Sequence, residues 1–113
     1  MSHLHLAFTI AFSAATMVAW PAQAAEIITY GLTLSGKSFS PGEIKVPSGK
    51  PFIIKMTNAN AAPAELEGKE MNIEKIAAGN STIVVRVKAL APGKYLFVDE
   101  YQEDIARGHV IAE

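Results

Sequence analysis

Turns leave this chain room for little except short strands. Ser35-Gly36-Lys37-Ser38, Phe39-Ser40-Pro41-Gly42, Pro47-Ser48-Gly49-Lys50, Ala78-Gly79-Asn80 and Ala91-Pro92-Gly93 punctuate it with residues that pre-set turn geometry. Between these turns apolar residues alternate with the period of two expected of half-buried strands. Glu26 to Leu34 places Ile28, Tyr30, Leu32 and Leu34 on one side. Glu43 to Val46 does the same with Ile44 and Val46, and Pro51 to Thr57 with Phe52, Ile54 and Met56. Ser81 to Lys88 is the clearest case, with Ile83, Val85 and Val87 inward and Thr82, Arg86 and Lys88 outward. Asn72 to Ala77 reads as a short irregular strand, Lys94 to Val98 as an apolar one, and His109 to Ala112 as a closing one. Glu65 to Met71 is too charged for a core strand and is expected at a sheet edge or rim. About seven short strands with close turns indicate an all-β sandwich. No segment carries a convincing helical stripe, and there is no internal repeat.

The first residues stand apart. Leu4 to Trp20 is nearly unbroken in apolar and small residues, and Ala22-Gln23-Ala24 is an A-x-A processing site. This is the pattern of a secretory signal peptide, residues 1–24, removed from a single domain of residues 25–113. His3 and His5 stand where basic residues are usual in such a leader. All 10 Lys and Arg and all 11 Asp and Glu follow it, for a net charge of -1. No basic excess exists to hold a phosphate backbone, which argues against nucleic acid as a partner. No second apolar run is long enough to span a bilayer. Cysteine is absent, so disulfides, thiolate nucleophiles and soft thiolate ligands are excluded together. Phosphate-loop, Ser-His-Asp and zinc-hydrolase patterns are missing too, so a hydrolase is not expected.

Three motifs carry a resemblance. Phe39-Ser40-Pro41-Gly42-Glu43-Ile44-Lys45-Val46-Pro47-Ser48-Gly49-Lys50 resembles the cupredoxin opening, F-x-P-x-x-I-x-V-x-x-G. Asn58 resembles that family's strand-ending Asn, and Ala91-Pro92-Gly93-Lys94-Tyr95-Leu96-Phe97 its PG-x-Y-x-F strand. The resemblance implies a cupredoxin-like Greek-key β-sandwich. Glu65-Leu66-Glu67 with Glu74-Lys75-Ile76-Ala77-Ala78-Gly79 is similar to the E-x-E and E-N-I-A-P-G pattern of EfeO-type cupredoxin domains. A small exported domain of this kind most resembles the periplasmic component (FtrB type) of ferrous-iron transport systems. That likeness implies a periplasmic protein working between an iron-binding protein and an iron permease. It also departs from blue-copper proteins, whose centre needs two His, one Cys and usually Met. By position in the family pattern, Glu65 stands for the first His and Asp99 for the Cys, so a type 1 copper centre is not expected.

The stretch from Pro92 to Asp104 and the Glu65-Leu66-Glu67 cluster supply the chemistry. In an extended Glu65-x-Glu67 both carboxylates share a face. Asp99 ends a strand, which fixes its backbone. Glu65, Glu67 and Asp99 are the expected metal ligands, with Glu100 and Asp104 nearby and Glu103 and His109 as further candidates. Oxygen donors suit hard cations, calcium, magnesium, manganese and especially ferric iron, and anionic oxygen favours the ferric state over the ferrous. The expected activity is ferroxidase-like, with iron as the metal. Tyr101 is a candidate second donor or redox-active phenol, and Met71 a soft ligand that would favour copper. Two other readings stand beside this one: a periplasmic copper-binding protein, and a metal-free docking subunit of a transport complex. In the bland reading, the acids are solvated surface and Met71, Tyr95 and Phe97 are packing residues.

Overall fold

A computed structural model describes residues 2–20 and 26–113. Residues 2–20 form no helix or strand, and Leu4, Leu6, Phe8, Ile10 and Phe12 are exposed there. The expected processing site at Ala22-Gln23-Ala24 lies outside the described residues. No helix among the described residues is long and apolar enough to cross a membrane.

The described residues hold nine strands: β1 (Thr29–Ser35), β2 (Ser38–Ser40), β3 (Glu43–Val46), β4 (Phe52–Asn58), β5 (Ala64–Gly68), β6 (Ile73–Ala77), β7 (Ser81–Val87), β8 (Gly93–Asp99) and β9 (Arg107–Ala112). They form a four-stranded sheet of order β2-β1-β4-β7 and a five-stranded sheet of order β3-β9-β8-β5-β6. The all-β sandwich expected from the sequence is therefore the fold. The strands beyond the seven read from the sequence are β2, only three residues long, and β5, which the charge of Glu65 to Met71 placed at an expected edge or rim.

Alternation decides what meets in the middle. Leu32, Leu34, Ile54, Met56 and Val87 from one sheet face Ile44, Val46, Leu66, Phe97 and Val110 from the other. Each such buried side chain stabilises the fold by about 1.5–3 kcal/mol. Phe39 of β2 plugs this layer, its ring edge-on to Phe97 at a centroid distance of 5.1 Å. Phe97 in turn needs Gly108, where an added Cβ would lie 2.3 Å from the Phe97 ring. Met71 is 1 % exposed within the core; it packs and is not presented to a surface site.

One expectation is corrected. Glu65 to Met71 was expected at an edge or rim, yet β5 lies inside the five-stranded sheet between β8 and β6, with all of its residues buried. Ala64 and Leu66 reach the core, at 2 % and 0 % exposure. Glu65 and Glu67 alternate to the opposite face, so charge there does not disqualify the strand from an interior position. The edge is β6.

Asn58 ties the two sheets together at the end where β8 finishes and β9 begins. It is fully buried, and its Nδ2 donates to the carbonyls of Ala62 (2.9 Å), Ala77 (3.3 Å) and Ala78 (3.2 Å). Its Oδ1 accepts from Asn60 N at 3.0 Å. That arrangement fixes the entrance to β5, and with it the first glutamate.

Candidate metal centre

The register of β5 sets two ligand positions at once. Leu66 pairs with Asp99 and Glu67 with Val98 across the β5–β8 ladder. Chain alternation then places Glu65 and Glu67 on the outer face of the sheet. On β8 the same rule sends Phe97 and Asp99 inward and Val98 outward, so Glu100 emerges on the outer side too. A 3-10 turn, Glu100–Gln102, folds back beside β5. Glu65, Glu67 and Glu100 each bring one carboxylate oxygen within 4.8 Å of the others. On β6, Glu74 sits directly opposite Glu67.

Burial makes the cluster electrostatically expensive. Glu65 is 8 % and Glu67 9 % exposed. Glu65 Oε1 is buried and has no hydrogen-bond partner. Like charges this close resist simultaneous ionisation, and protons redistribute accordingly. Glu100 is pushed up to about 7, chiefly because its protonated form donates to Glu65 and Glu67. Glu74 is raised by donating to Glu65. Glu65 is correspondingly lowered, by accepting from Glu74 and Glu100. Burial and the negative charge on Glu65 raise the Tyr101 phenol. With all of these carboxyls ionised, the buried Glu65 Oε1 has no donor. A proton or a cation supplies what is missing there.

The other sequence candidates are not brought into this cluster. Asp99 is 1 % exposed and occupied by donors: Glu65 N at 3.0 Å, Tyr101 N at 3.2 Å and Gln102 Nε2 at 3.0 Å. Glu103 is exposed beyond the 3-10 turn, where its carbonyl accepts from Arg107 Nε at 2.8 Å. It shares with Glu67 the lining of a surface depression of about 280 Å³, along with Leu96, Val98 and Arg107. His109 sits on β9 opposite Leu96 and beside Glu43. The whole of β8 lies between it and β5. Lys69 Nζ lies 3.8 Å from Glu67 Oε1, exposed enough to contribute little. The sequence placed Glu100 beside the site and Glu74 in the family-like motif, without marking Glu74 as a site residue. Strand alternation carried through Asp99 was the signal for the first; the second needed the β5–β6 register.

The match to known proteins follows the fold. Residues 7–112 match the family described as the cupredoxin-like domain. The chain belongs to that family. Among solved structures it resembles auracyanin A, a "blue" copper protein of Chloroflexus aurantiacus, with a TM-score of 0.67 and 18% identity over 78% of this chain and 100% of that one. It also resembles the metal-binding domain of the Cu(I)-exporting P-type ATPase of Streptococcus pneumoniae, at a TM-score of 0.67 and 18% identity over 76% of this chain and 86% of that one. An uncharacterized protein of Rickettsia prowazekii is 27% identical over 85 residues, which is 75% of this chain and 68% of the relative. At these identities the structural likeness speaks to fold. This cupredoxin-like chain does not carry the donors of a blue-copper centre. It has no cysteine, His109 lies a strand away from the acids, and Met71 is in the core. What the scaffold presents is oxygen.

Proposed function

We propose that this protein is a periplasmic cupredoxin-like component of ferrous-iron uptake, released after Ala24, that binds Fe(II) through Glu65, Glu67 and Glu100. The observation that carries the reading is the convergence of Glu65, Glu67 and Glu100, one carboxylate oxygen of each within 4.8 Å of the others, at a Glu65 side chain whose buried Oε1 has no hydrogen-bond partner. Carboxylate oxygens are hard ligands suited to iron as well as to calcium, magnesium and manganese. Anionic oxygens bind Fe(III) more tightly than Fe(II), so a bound ferrous ion is made easier to oxidise. Its electron goes to dissolved dioxygen, which four ferrous ions and four protons reduce to two waters, and iron is the cargo passed to an iron permease. Exposed Ile76, Tyr101 and Ile105 support a handover between proteins. Ile76 pairs with Glu65 in the ladder and the other two belong to the segment that carries Glu100, so apolar surface rims the acids.

The test is anaerobic titration with Fe(II) and, separately, Cu(II), followed by admission of oxygen. The reading expects saturable Fe(II) binding that is lost in Glu65→Gln and Glu100→Gln, with ferric iron forming faster than in buffer. Tight Cu(II) binding without an iron response would instead support the copper-binding alternative. No response to either ion would leave a docking subunit.

A further inference from the structure

Asp99 has a different part in this site from the one its position on β8 suggests. We infer that Asp99 is a positioning residue whose buried carboxylate sets the separation of Glu65 from Glu100, and that it does not itself hold the ion. The inference rests on the carboxylate-site reading above.

Glu65 and Glu100 come from distant parts of the chain, and the β5–β8 ladder that should align them is registered at only Leu66–Asp99 and Glu67–Val98. Past Asp99 the chain leaves the sheet for the 3-10 turn, so no further β8 carbonyl is available to Glu65 N. The Asp99 side chain replaces it. One oxygen, Oδ1, accepts both from Glu65 N at 3.0 Å and from Tyr101 N at 3.2 Å. The first amide belongs to one ligand residue, and the second directly follows the other. A single atom therefore joins the backbones that carry the two carboxylates. Gln102 Nε2 holds Oδ2 at 3.0 Å and so orients the whole group. Asp99 N donates to Ala106 O at 3.1 Å, closing the base of the loop that bears Glu100. At 1 % exposure the carboxylate faces inward, on the opposite side of β8 from Val98 and from the cluster. Outer groups of this kind orient metal ligands, and their loss lowers metal affinity by about 10- to 100-fold.

The role separates cleanly from that of a ligand. Asp99→Asn keeps an oxygen for the two amides, and Gln102 can present its own carbonyl to the new NH₂. Asp99→Ala keeps neither. The experiment is anaerobic Fe(II) titration of the wild-type protein, Asp99→Asn, Asp99→Ala and Glu65→Gln, each shown to be folded by circular dichroism. Alongside it, hydrogen exchange of the Glu65 and Tyr101 amides is measured without metal. The expected result is near-wild-type affinity in Asp99→Asn and a fall of about 10- to 100-fold in Asp99→Ala. In Asp99→Ala both amides should lose protection together. Loss of binding in Asp99→Asn as complete as in Glu65→Gln would make Asp99 a ligand and overturn the inference. Retained protection of both amides in Asp99→Ala would overturn it as well, with or without metal. Unchanged binding in Glu65→Gln would instead sink the carboxylate-site reading, while the exchange data still decide the role of Asp99.

Discussion

At the scale of single residues, two polar side chains at the same end of the sandwich do opposite things. Asn58 is buried and fully engaged, so removing it strands acceptors. In Asn58→Ala the carbonyls of Ala62, Ala77 and Ala78 and the amide of Asn60 all lose a partner. The expected cost is about 2 kcal/mol or more, measured by urea denaturation. Glu65 is buried and under-engaged. Glu65→Gln replaces half of an anionic oxygen pair with a donor, which relieves Oε1 and removes a ligand charge. Above the pH at which Glu100 ionises, it should raise the melting temperature of the metal-free protein while weakening Fe(II) binding by about tenfold or more. Opposite signs on stability and affinity are what mark a residue kept for binding. A fall in both would point to a structural role alone.

Individual strands show how far the sequence could be read. β8 was legible as a short apolar run, and alternation identified β1, β3, β4 and β7 because their apolar side chains go to one face of a sheet whose other face is wetter. It failed for β5, since the rule treats charge as a sign of exposure, whereas the outer face of β5 is roofed by the segment from Glu100 to Tyr101. The Glu65-x-Glu67 pair was legible as two carboxylates on one face. The third partner was not, because Asp99 and Glu100 are adjacent acids at a strand end. Which of them turns outward depends on β8 keeping its pleat to its last residue. His109 shows the same limit: its type suited a ligand, but its strand is separated from β5 by β8. The β8–β9 pair offers its own test. Phe97 lies against Gly108, so Gly108→Ala should cost about 1–3 kcal/mol through overpacking, while leaving the carboxylates in register. Thermal unfolding, with Fe(II) affinity measured below the transition, checks both halves of that statement.

For the molecule as a whole, the acidic cluster links stability to pH. Glu100 binds its proton more tightly in the folded state, at about 7, than at its ordinary value of 4.5. That proton stabilises the metal-free fold fully below the ordinary value, and the contribution is lost as pH rises towards 7. Glu74 shifts in the same direction. Glu65 shifts oppositely, and its effect falls below the ordinary carboxylate value. The melting temperature of the metal-free protein should therefore fall between about pH 5 and pH 8, with a flatter profile in Glu100→Gln. A cation competes with those protons, so its stabilising effect should grow over the same range.

The most direct measurement is the melting temperature of the protein at about pH 7.5, without metal and with increasing anaerobic Fe(II), in the wild type and in Glu100→Gln. A rise that saturates in the wild type and is lost in the variant is the predicted result. Equal curves for the two proteins, whether rising or flat, would contradict a site built from these carboxylates.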